Sequence, residues 1–236
     1  MFGNRTFYTE KTELSGLVIN HPRLVQVCEY FGMVLPYGQK TIAAACSERN
    51  IRPALFLSIS ALYCKTADAP REDLTPSDIP AIVVLLKNTH RYYLEEIYPE
   101  IQQHIQLLSE NTRSEEMRLV EKFFDEYFSE VKAHLDYENQ LVFPYIEQLL
   151  TVKNNESHTP YSVQDYQEHH DDIEQKLDDL INLLIRHLPD QCDQKIRRNL
   201  YFLLKRLDDD LKIHSQIEEQ ILIPLVRMLE QNLQRQ

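Results

Sequence analysis

Four histidines and two glutamates stand where a helical protein normally places apolar residues. His90 lies among Leu86, Leu94 and Ile97, and His134 and Glu138 lie between Val131 and Leu141. His170 lies between Tyr166 and Ile173, and His214 and Glu218 lie between Leu211 and Ile221. In each H-x-x-x-E pair the two residues are i and i+4, so a helix presents an imidazole and a carboxylate side by side. A buried carboxylate is costly unless a cation meets it. Two carboxylates with four imidazoles and no thiolate form a donor set suited to iron, zinc or manganese. A carboxylate between two metals gives one oxygen to each. Glu138 and Glu218 in that role, with two histidines per metal, leave positions that an oxo or hydroxo bridge would complete. On iron, the remaining open positions are where O2 or NO would bind.

The spacing ties the six residues together. The interval from His90 to His134 equals the interval from His170 to His214. The offset that carries His90 to His170 and His134 to His214 also carries Glu138 to Glu218 and Pro144 to Pro224. This is an internal repeat of one helical hairpin, which returns all six side chains to one layer. Glu130 and Asp210 share the offset, each one helical turn before a motif histidine. A metal-bound histidine usually donates its other ring N–H to a carboxylate or carbonyl, which makes these two acids the expected supports behind the ligands. The ferritin-type pattern needs Glu-x-x-His, and none of the inward histidines has a glutamate at the third position before it. His104 falls on the inner stripe of the same helix as His90, but well beyond it. The rise between them is about 21 Å along an unbroken helix, so His104 reaches the cluster only after a local break.

Long helices are needed to position this layer. Apolar residues at helical spacing predict them over 78–109, 113–150, 161–188 and 192–232. Four long helices with short connections predict an all-α fold with an up-down-up-down four-helix bundle over 80–232. Before it, residues 1–17 read as a flexible N-terminus, 18–64 as a small helical domain, and 65–79, which hold Pro70 and Pro76, as a linker. Thr75-Pro76 reads as a helix cap followed by proline at the first helical position.

Composition excludes several alternatives. The 236 residues carry a net charge of −12, which speaks against a nucleic-acid binder and against attraction to anionic lipid. The four glycines, Gly3, Gly16, Gly32 and Gly38, all precede residue 39, which disfavours hairpins and nucleotide-binding loops beyond it. No secretory pattern or run of about 18 apolar residues is present. Cys28, Cys46, Cys64 and Cys192 form no C-x-x-C pair. Reduced, buried thiols and a cytoplasmic location are the expectation.

The stretches THRYYLEEIYPEI, AHLDYENQLVFP, QEHHDDIEQKLDDL and IHSQIEEQILIP resemble the four helices of hemerythrin-like di-iron domains. The preceding NHPRLVQVCEYFGMVLPYGQKTIAAACSERNI resembles the small N-terminal domain of the iron–sulfur cluster repair (repair-of-iron-centres) family, in that family's domain order. The resemblance implies a non-haem di-iron centre of two iron ions held by His90, His134, Glu138, His170, His214 and Glu218. It also implies that the partners are iron–sulfur proteins damaged by nitric oxide or oxidants, with O2 or NO as small ligands. A hemerythrin-like O2 or NO carrier or sensor, and a di-iron NO or peroxide reductase, are the alternatives. A homodimer is left open. Two departures stand out. Pro36 and Tyr37 occupy the place before Gly38 where the family usually has adjacent cysteines, and SENTRSEE lacks the family's further histidine.

Overall fold

The computed structural model describes residues 8–65, 73–112, 114–151, 161–168, 173–188 and 192–234. Contacts divide the chain into two compact units, residues 1–88 with 217–236, and residues 89–216.

In the first unit, four short helices follow one another: α1 (Leu14–Asn20), α2 (Leu24–Tyr30), α3 (Ile42–Ser47) and α4 (Pro53–Tyr63). Helix α1 begins inside the stretch expected to be flexible. Leu14, Leu17 and Val18 are spaced i, i+3, i+4 and are buried, which gives the segment an apolar stripe of its own. Helix α2 ends at Gly32, whose φ of 73° is a conformation glycine adopts without a Cβ penalty. Thr41 caps α3 by accepting from the Ala44 amide at 3.2 Å. Leu24, Cys28, Cys46, Leu55, Phe56 and Ile59 form the interior. A 3₁₀ turn at Pro76–Asp78 then opens the first long helix. Thr75 and Asp78 cap it reciprocally, in line with the Thr-Pro pair, and Arg52 donates to the buried Asp78 carboxylate.

That long helix runs as α5 (Ile79–Tyr92), a π turn (Tyr93–Ile97) and α6 (Tyr98–Thr112). The second runs as α7 (Glu115–Tyr137), a π turn (Glu138–Val142) and α8 (Phe143–Thr151). Segments α9 (Val163–Glu168) and α10 (Ile173–Arg186) lie in the stretch where the third is expected. The fourth runs as α11 (Gln194–Ile217), a π turn (Glu218–Leu222) and α12 (Ile223–Gln234). The fold is all-α and bundle-like, as the apolar periodicity predicts. Residues 89–216 close around Ile97, Ile101, Phe124, Val131, Leu177 and Leu204. Ser114 caps α7 by accepting from the Met117 amide at 3.2 Å.

The π turns have a local cause. A proline stands at the second position after each of them: Pro99, Pro144 and Pro224. Proline lacks an N–H, and its ring clashes with the carbonyl one turn earlier, so a regular α-turn cannot pass through it without disruption. A widened turn absorbs the misfit. The insertion also shifts the phase of the residues beyond it. Leu141, expected inward on unbroken α periodicity, is 42 % exposed, while Val142 and Phe143 are buried.

Candidate metal centre

Each π turn lies one helical turn beyond a motif histidine, and two of them begin at the motif glutamate itself. Tyr93 opens the turn after His90, Glu138 the turn after His134, and Glu218 the turn after His214. Widened turns are frequent at functional sites because they re-aim side chains that a regular helix would place elsewhere. The two carboxylates that open these turns are buried: Glu138 and Glu218 are both 0 % exposed.

His90, Glu138 and His214 meet within residues 89–216. His90 Nε2 lies 3.4 Å from His214 Nε2 and 3.2 Å from Glu138 Oε2. His134 Nε2 lies 3.3 Å from Glu138 Oε1. Glu218 follows His214 by one turn of an unbroken helix. One donor atom from each of His90, Glu138 and His214 falls within 4.8 Å of the others. His134 stands at the edge of this group, with 11 % of its side chain exposed.

The ring edges facing away from the cluster are engaged. His90 Nδ1 donates to Asn139 Oδ1 at 3.1 Å, which leaves its Nε2 lone pair directed at the cluster. His214 Nδ1 lies 3.0 Å from the Thr89 hydroxyl. His90 is also stacked on Phe143, with ring centroids 5.4 Å apart. With both Nδ1 edges held in this way, two imidazole Nε2 atoms and the buried Glu138 carboxylate point at one small volume. A cation there would relieve the mutual repulsion of lone pairs and anion, and the set fits a metal of the iron, zinc or manganese class.

The remaining predicted residues fall in different places. Asp210 is buried and accepts the Tyr93 hydroxyl at 2.8 Å. Glu130 lies elsewhere: its side chain is 54 % exposed and pairs with Lys176 on the surface. His104 lies further along the first long helix. Despite the π turn between it and His90 the helix continues, and His104 Nδ1 donates to the Glu100 carbonyl at 2.8 Å, outside the cluster. His170 lies outside the described residues.

Thr89, Asn139 and the hydroxyl of Tyr166 carry no motif of their own. The one sequence signal for their surroundings is the recurrence of a proline, Pro99, Pro144 and Pro224, at nearly the same interval after His90, His134 and His214. Among the described residues, no helix is long and apolar enough to cross a membrane.

Residues 81–187 match the family model described as the Hemerythrin HHE cation binding domain. The match takes in His90, His134 and Glu138 and ends before His214 and Glu218. No curated protein matches the chain.

Proposed function

We propose, from the hemerythrin-type match and the buried cluster, that the chain is a non-haem di-iron module. The observation that carries this reading is the convergence of His90, Glu138 and His214, all buried, with donor atoms within 4.8 Å of one another, and with buried Glu218 one helical turn after His214. His134 and His170 complete the ligand set in this reading. Iron held there would supply Lewis acidity and reversible one-electron chemistry toward O2 or NO. The chain's own contribution is positional. Asn139 and Thr89 hold the imidazoles, Phe143 packs against His90 and keeps water from it, and the π turns aim the carboxylates.

The biological role we propose is restoration of iron–sulfur clusters damaged by nitrosative or oxidative stress, through supply of iron. Support comes from the likeness of residues 18–64 and of the helical motifs to iron–sulfur cluster repair proteins. In this reading, a site of imidazole and carboxylate without thiolate suits ferrous iron and would hold it through few enough donors to release it.

Two measurements test this in order. Protein purified without added iron is analysed for metal and its absorption spectrum is recorded. A pair of irons per chain with an oxo-bridge band in the near ultraviolet is expected, and absence of metal binding on reconstitution refutes the centre. The loaded protein is then mixed with an NO-damaged iron–sulfur enzyme. Recovery must exceed that from equal free ferrous iron. A reversible spectral change with O2 or NO, with no iron loss and no recovery, identifies a binding or sensing module instead.

A further inference from the structure

The internal repeat is not chemically perfect, and one departure falls on Glu138. Tyr166, 2 % exposed, donates its phenolic O–H to Glu138 Oε1 at 3.0 Å. The same oxygen lies 3.3 Å from His134 Nε2, while Oε2 lies 3.2 Å from His90 Nε2. The two oxygens of one carboxylate therefore face two different histidines, and the phenol sits on only one of them. The motif histidines and glutamates keep their type from one hairpin to the other. Tyr166 does not: its counterpart is Leu86, whose side chain has no hydrogen to donate.

A hydrogen bond to one carboxylate oxygen has two effects on the group. It fixes the carboxylate plane, and it draws electron density from the oxygen that accepts it. Both effects act on Glu138 from the third long helix. In the other half of the repeat, leucine supplies neither.

We propose that Tyr166 is a positioning residue that makes the two halves of the metal centre unequal, by locking Glu138 so that Oε1 serves the His134 side and Oε2 the His90 side. The inference rests on the reading of the cluster as a metal centre. The His134 side, which combines the phenol-bound oxygen with the more exposed of the two histidines, is the side that exchanges its ion more readily.

The test uses the full-length metal-free protein titrated without oxygen with cobalt(II), a visible probe for ferrous sites, in competition with a chelator. Wild type is expected to fill in two unequal steps with distinct absorption spectra. In Y166F one step weakens about 10–100-fold, the range for loss of a group supporting a ligand, and the other stays within about threefold. The two spectra change relative to each other, and the metal-free variant unfolds at a lower temperature, as loss of a hydrogen bond to a buried carboxylate requires. A purely structural role for Tyr166 would move the unfolding and leave the difference between the steps intact.

Equal weakening of both steps in Y166F, or of neither, overturns the proposal. Two equal steps in wild type overturn it even where Y166F fails to fold. Failure of wild type to take up cobalt at all refutes the metal centre itself. Uptake with an unmoved Y166F removes only the role of Tyr166.

Discussion

Replacing Glu138 by glutamine tests the centre through the sign of its effects. The wild-type carboxylate is 0 % exposed, with one oxygen 3.2 Å from His90 and the other 3.3 Å from His134. Glutamine keeps the volume and an oxygen to accept from Tyr166, and removes the charge. Without metal, a buried carboxylate carries a desolvation cost that a neutral amide of similar volume largely avoids. Metal-free E138Q is therefore expected within about 1 kcal/mol of wild type, or above it. With a divalent metal at about 100 times its Kd, wild type gains about 2.7 kcal/mol. For a chain of this length that raises Tm by roughly 5–11 °C. E138Q is expected to keep less than about 1 kcal/mol of that gain at the same metal concentration, equivalent to a Kd weakened about twentyfold or more. Differential scanning calorimetry of the metal-free and loaded proteins reads both numbers. The reasoning is refuted if E138Q loses about 3–5 kcal/mol without metal, as a broken buried ion pair would, while the metal-dependent gain stays intact. Glu138 would then belong to a polar layer that holds histidines and no metal.

Three further outcomes are expected. Y93F removes the hydroxyl that meets buried Asp210, and thermal unfolding should show a loss of about 1.5–3 kcal/mol, the range for a hydrogen bond to a charged group. P144A relieves the helix of a proline worth up to about 3 kcal/mol in a regular turn. It should raise the stability of the metal-free protein while weakening metal uptake, because the π turn that aims Glu138 loses its cause; unchanged metal affinity would show that the widened turn does not aim the carboxylate. Burial pushes the thiols of Cys28 and Cys64 up to about 11 and that of Cys46 up to about 12. Above an ordinary thiol pKa near 8.5 the unfolded chain releases protons that the folded chain retains. Stability should therefore be unaffected by these groups below about pH 8 and fall as pH rises from about 9 toward 11. Alkaline denaturant titrations that show no such fall would contradict the burial argument.

Much of this protein is legible from its sequence because helix geometry is local. An i, i+4 pair such as His134 and Glu138 shares a face whatever else the chain does. The motif and its repetition at His214 and Glu218 therefore follow from spacing alone. The long helices follow from the same periodicity, and their observed ends at Thr112, Thr151, Arg186 and Gln234 lie within a few residues of those expected. The tertiary structure decides what depends on residues far apart. Thr89 meets His214 across 125 positions, and Asn139 meets His90 across 49, and no spacing rule connects a hydroxyl or an amide to an imidazole over such distances. The same holds for the fates of Glu130 and Asp210. They are equivalent in spacing, yet Glu130 pairs with Lys176 on the surface and Asp210 accepts the Tyr93 hydroxyl in the interior, and both partners come from other helices. Leu141 differs from expectation for a more local reason. Pro144, just beyond it, widens the turn, and an extra residue in a turn moves everything after it to a new face. Periodicity fixes direction only while the helix remains regular, and in this chain the irregular turns sit at the motif carboxylates.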